Sequence, residues 1–64
     1  MTMLFQYFGH DVLLVDTDGV TWQGHVSAYT SALDSENGEE EIAVRTDKGL
    51  IGFPLSEIKA IRKQ

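Results

Sequence analysis

Cysteine is absent from the 64 residues, which excludes disulfides, thiolate nucleophiles and cysteine-ligated metals and leaves nothing that calls for an oxidising compartment. Proline occurs once, at Pro54, and no apolar run approaches the ~20 residues of a membrane-crossing helix. The N-terminus lacks the basic flank of a signal peptide, so the expectation is a soluble, cytoplasmic protein with no membrane partner. Cations are scarce and late: the first 44 residues contain no Lys or Arg, and eight acids lie there (Asp11, Asp16, Asp18, Asp34, Glu36, Glu39, Glu40 and Glu41). The last 20 residues hold Arg45, Lys48, Lys59, Arg62 and Lys63 against Asp47 and Glu57, a local balance of +3 within a net charge of −5. Nucleic-acid binding begins with neutralising phosphates, and this balance opposes it while leaving one modest basic patch.

Catalytic signatures are missing too. His10 and His25 come from different elements with no ligand spacing, and no glycine-rich phosphate loop precedes a helix. The acidic stretch Asp34 to Glu41 fails the spacing of a calcium loop: counting from Asp34, Gly38 arrives one place early and the twelfth residue is Arg45. A solvated, mobile loop is the reading that remains. No enzyme, cofactor or metal site is expected.

What is present is alternation. Val20, Trp22, Gly24, Val26 and Ala28 alternate with Thr21, Gln23, His25 and Ser27, the period of a strand with one face buried. Trp22, the only tryptophan, should anchor the core. The preceding apolar run Val12-Leu13-Leu14-Val15 pairs with it as a hairpin in one of two registers. An Asp18-Gly19 loop sets Val15 opposite Trp22, whereas a three-residue loop, Thr17-Asp18-Gly19 with Gly19 left-handed, sets Leu14 there and turns Leu13 and Val15 outward; the turn chemistry favours the second. Either way two aliphatic side chains leave the main face and require cover.

Glycine at position 24, where the pattern demands a core residue, marks a bend or a close backbone approach. Met1 to Gly9 reads as a short helix with Thr2 as cap and Leu4, Phe5 and Phe8 on its apolar side. Glu41 to Thr46 and Leu50 to Leu55 are strands, and a Lys48-Gly49 loop would pair Thr46 with Ile51, Val44 with Phe53 and Ile42 with Leu55. Pro54 must turn its nitrogen away from any partner strand. A tight turn at Leu55 to Ile58 then leads to a last strand, Lys59 to Lys63. A mainly β single domain of residues 1–64 follows: a strongly bent, five-stranded SH3-like barrel with a short N-terminal helix.

Leu4, Gly9, Val12, Leu14, Asp18, Gly19, Trp22, Gly24, Val26 and Tyr29, with Ile58 and Ile61 at the close, give the chain a pattern that resembles the Sm/LSm family of small β-barrels. The resemblance implies an Sm-like barrel whose fourth strand pairs with the fifth of a neighbouring subunit, and in many members a ring that holds single-stranded RNA. Where that family has Asp soon after the glycine and Asn four places later, this chain has Thr30 and Asp34, and Asp34 would repel phosphate.

Two functions are carried forward. One is a protein-interaction or self-assembly module using Leu13, Val15 and a sheet edge. The other is an RNA-binding ring, with Arg45, Lys48, Lys59, Arg62 and Lys63 on phosphates and Tyr29 or Phe53 stacking on bases.

Overall fold

The computed structural model describes Met3 to Gln64. Five strands, β1 (Asp11–Asp16), β2 (Thr21–Thr30), β3 (Glu41–Thr46), β4 (Gly49–Pro54) and β5 (Ile58–Lys63), form one antiparallel sheet in the order β4-β3-β2-β1-β5. β4 and β5 are its two edges and do not pair with each other. Single 3-10 turns at Phe5–Tyr7 and Leu55–Glu57 complete the fold.

The first hairpin has the three-residue loop. Gly19 takes φ +85, its N–H donates to the Asp16 carbonyl, and Leu14 sits opposite Trp22. Asp16 holds the turn: its carboxylate accepts from the backbone N–H groups of Asp18 (2.9 Å) and Val20 (3.0 Å) and from the Trp22 indole Nε1 (2.9 Å). An aspartate bonding its own backbone two residues on is a common turn device.

At Gly24 the neighbouring strands β2 and β3 come into close backbone contact. A Cβ placed there would lie 2.1 Å from the Arg45 carbonyl oxygen and 2.9 Å from Val44 Cγ1, so the β3 backbone rests directly on the glycine. Two residues on, Val26 pairs with Val44 but Ala28 with Ala43, which leaves Ser27 as the extra residue of a bulge. Bulges bend a strand and sharpen its twist. The bend expected from Gly24 is therefore produced by both devices together.

The β3–β4 register differs from the expected one. The loop is Asp47-Lys48, not Lys48-Gly49, and it pairs Thr46 with Gly49, Val44 with Ile51 and Ile42 with Phe53. The Thr46 hydroxyl explains the choice: it accepts from the Lys48 N–H (3.0 Å) and donates to the Gly49 carbonyl (2.9 Å), while Gly49 absorbs φ +109. The slip is two residues, so every side chain keeps its face and only its partner changes. Pro54 behaves as expected. Leu55 donates to the Glu40 carbonyl at 2.8 Å, which by antiparallel alternation turns the nitrogens of Leu50, Gly52 and Pro54 to the free edge.

The core consists of Leu4, Val12, Leu14, Val26, Ile42, Val44 and Phe53. Trp22 lies on this face but only half-buried, at its margin, edge-to-face with Phe53 at 5.7 Å between centroids. The expectation that it anchors the centre is corrected: with glycine at 24 the small side chains Val26 and Val44 fill the middle. The N-terminal segment is one 3-10 turn, not a helix, and presents Leu4 and Tyr7 to the core while Phe5 and Phe8 stay exposed. The Thr2 cap lies outside the described residues.

Gly24→Ala should cost about 3 kcal/mol or more, because the clash is with backbone that cannot rotate away. Gly19→Ala, at a left-handed position with open space around it, should cost about 1–2 kcal/mol. Urea unfolding of the two variants will rank them; equal losses would show that the approach of β3 does not constrain the fold.

Candidate interaction surfaces

Hydrogen-bond parity fixes which backbone groups each edge offers. On β5, Gln64 donates to the Asp11 carbonyl (2.9 Å), and Arg62 and Ala60 pair with Leu13 and Val15. The N–H groups of Ile61 and Lys63 therefore face outward. On β4 only Leu50 and Gly52 offer a donor, since Pro54 has none. A third open stretch lies on β2. β3 pairs with it only from His25 to Thr30, so Thr21 to Gly24 has β1 on one side and no strand on the other among the described residues.

Beside that stretch is an open groove of about 630 Å³, bordered by Trp22, Gln23, His25, Asp47 and Lys48. The Lys48 Nζ stands 5.8 Å from the Trp22 ring centroid, within cation–π range. His25 Nδ1 and Asp11 Oδ1 meet at 2.9 Å on the exposed face and form an ion pair only when the imidazole is protonated.

The cations sit on two elements. Arg45 and Lys48 sit at the end of the β3–β4 hairpin, Lys59, Arg62 and Lys63 on β5, all five exposed. β3 and β5 are not neighbours in the sheet, but the groove that Lys48 borders also reaches Gln64, next to Lys63. Leu13 and Val15 do leave the core face, flanked by Gln23 and Arg62 and by Thr21 and Ala60, and these neighbours leave them half-buried rather than bare.

Neither proposed stacking residue is free. Phe53 is buried in the core, on the face that the two-residue slip leaves unchanged. Tyr29 is half-buried, its ring edge-to-face with Phe5 at 5.2 Å and its hydroxyl donating to Glu40 Oε2 at 3.2 Å. Burial first, and then the Glu40 charge beside it, push the Tyr29 hydroxyl above the usual phenol range. Met3, Phe5 and Phe8 are the exposed large apolar residues at this end of the molecule.

Glu40 overturns the reading of Asp34 to Glu41 as a wholly solvated stretch. It is 7 % exposed, and its carboxylate accepts from the backbone N–H of Met3 (2.9 Å) and Leu4 (2.7 Å) as well as from Tyr29. Glu39 Oε1 accepts from the Ser56 N–H at 2.6 Å, and the Glu40 carbonyl accepts from Leu55. These two acids clamp both 3-10 turns to the sheet. Three donors compensate the buried charge, as its desolvation requires. Nothing in an acidic run distinguishes such a residue from its solvated neighbours. Asp16 was also missed, although an acid two residues ahead of Asp18-Gly19 carries a legible turn signal.

Glu40→Ala should destabilise by roughly 2–4 kcal/mol, since it strands the Met3, Leu4 and Tyr29 donors. Hydrogen exchange at the Leu4 amide should accelerate with it. Glu40→Gln should instead bring the Tyr29 titration down, as followed by tyrosinate absorbance; an unmoved titration would remove Glu40 from the account. The Trp22 indole, then the Val20 amide, hold the Asp16 carboxyl below the ordinary aspartate value. A lowered carboxylate contributes stability that is complete above the unfolded value of ~3.9 and is lost as pH falls through the folded one. The acid limb of the stability curve should thus flatten in Asp16→Asn, measured by urea midpoints; an unchanged limb counts against the turn as its source.

No family model, curated protein or solved structure matches the chain.

Proposed function

We propose that the chain is a small, non-enzymatic, Sm-like module that works by protein–protein contact, self-association included. The observation that carries this reading is a five-stranded sheet with two unpaired edges, one of them bearing Lys59, Arg62 and Lys63. Exposed edges are templates for strand addition. The other edge has an acid to meet those cations: the Glu41 carboxylate lies over Gly52, with Oε2 2.7 Å from the position a Cβ would take there. A head-to-tail contact of β4 on β5 would set Glu41 near the basic strand. No helix among the described residues is long and apolar enough to cross a membrane.

The alternative, an RNA-binding ring, has less to work with. Phe53 is buried in the core, and Tyr29 is half-buried and engaged with Phe5 and Glu40. Lys63→Pro discriminates well, because it deletes an N–H that faces the free edge and spares the ladder to β1. Native mass measurement should find a discrete oligomer for the parent chain and mostly monomer for this variant, with unchanged circular dichroism. A strictly monomeric parent at ~100 µM would sink the self-association reading. Dissociation by added salt would identify the contact as mainly ionic.

A further inference from the structure

We propose that Asn37 is a site of spontaneous, structure-assisted deamidation, its side-chain amide closing on the Gly38 nitrogen. The loop supplies three elements of that reaction. Asn37 is exposed, and so is Gly38, which holds φ +77 with nothing within 4 Å of the position a Cβ would occupy. No side chain therefore obstructs the approach of the Gly38 nitrogen to Asn37 Cγ. The third element is polarisation of the carbonyl under attack: Asn37 Oδ1 accepts from the Ser35 hydroxyl and from the Glu39 N–H, the latter at 3.4 Å. Donors aimed at an oxygen that gains charge stabilise the tetrahedral state.

The Gly38 N–H loses its proton to water or hydroxide, and the nitrogen attacks Asn37 Cγ, forming the N–Cγ bond as the carbonyl π pair moves to Oδ1. Collapse breaks the Cγ–Nδ2 bond and, with a proton from water, releases ammonia and leaves a five-membered succinimide. Water then adds to one of its two carbonyls and reopens the ring to an aspartyl or isoaspartyl residue. No oxidant or reductant is consumed. One contact opposes the step: the Gly38 N–H donates to the Ser35 carbonyl at 3.3 Å, a long bond that must open first. The carboxylates of Glu36 and Glu39 disfavour an anionic intermediate, so the rate should rise with ionic strength.

The product adds one negative charge to the existing −5, in the stretch whose far end, Glu39 and Glu40, clamps the two 3-10 turns. Ageing of this loop thus alters the charge of the acidic face without touching the core.

Folded protein held in mildly alkaline buffer should accumulate a more acidic species on isoelectric focusing, mapped by peptide mass spectrometry to position 37 and absent from Asn37→Gln. Ser35→Ala should slow it by roughly 3- to 10-fold, well below the ~100-fold or more of a sequestered oxyanion donor, and Ser35→Thr should retain the parent rate. In urea the parent and Ser35→Ala should react equally. An amide at position 37 that survives in the folded chain, or equal folded rates for parent and Ser35→Ala, would overturn the proposal.

Discussion

The contact of the Arg45 backbone with Gly24 is the constraint from which most of the molecule follows. A carbonyl that would stand 2.1 Å from a Cβ leaves no room for any residue but glycine, and with β3 held there the rest of the hairpin is placed. Its Asp47-Lys48 end reaches the Trp22 margin, where Lys48 lies over the indole. Because β3 parts from the ladder beyond His25, the first half of β2 keeps one open side. The groove is the consequence of that departure.

A sheet bent this way leaves an end to be closed, and the N-terminal segment closes it with little apolar material. Among the described residues of that segment Leu4 is the only buried one, and its burial stabilises by about the 1.5–3 kcal/mol of one large aliphatic. Ordering several backbone residues costs more than that. The difference is met by polar contacts: Glu40 takes the Met3 and Leu4 amides, Gly9 donates to the Val26 carbonyl, and the Tyr7 hydroxyl reaches the Ile61 carbonyl at 3.4 Å. A buried carboxylate thus holds what a larger protein would hold with more core. In a chain this short, the acid is part of the architecture and not only of the surface.

Period-2 alternation made the first hairpin legible, and the three-residue loop followed from the left-handed tolerance of Gly19. Gly24 was legible for the same reason, as a gap in a pattern. The second hairpin slipped by two residues because Lys48-Gly49 and Asp47-Lys48 are both reasonable loops, and the hydroxyl of Thr46, which decides between them, has no periodic signature. Size alone does not give Trp22 depth: it packs edge-to-face on Phe53 at the margin, while smaller side chains such as Val26 and Val44 are fully buried. Phe5 and Phe8 were misplaced by an assumed α-helix; one 3-10 turn points Leu4 and Tyr7 inward instead. Glu40 was invisible for a deeper reason. Its partners Met3 and Leu4 lie 37 and 36 residues away, and no local pattern encodes a contact of that range.

The two edges are not equivalent, and this limits how the proposed contact could be built. β5 offers the N–H groups of Ile61 and Lys63 along an uninterrupted strand, whereas β4 offers Leu50 and Gly52 and then stops at Pro54. An isologous β5–β5 pairing would set Lys59, Arg62 and Lys63 against their own copies, and like charges directly opposed are unfavourable. β4 against β4 would be short on donors at both ends. Head-to-tail pairing relieves both problems, since the basic strand then meets the edge beside Glu41. With two outward donors on each strand it can form about four backbone hydrogen bonds before Pro54 ends the ladder, worth roughly 0.5–1.5 kcal/mol each. Side chains must therefore supply most of the affinity, and the nearby candidates are Leu50 and the Glu41 charge. A heterologous contact of this kind has to repeat, closing into a ring where its rotation allows and running on as a filament where it does not.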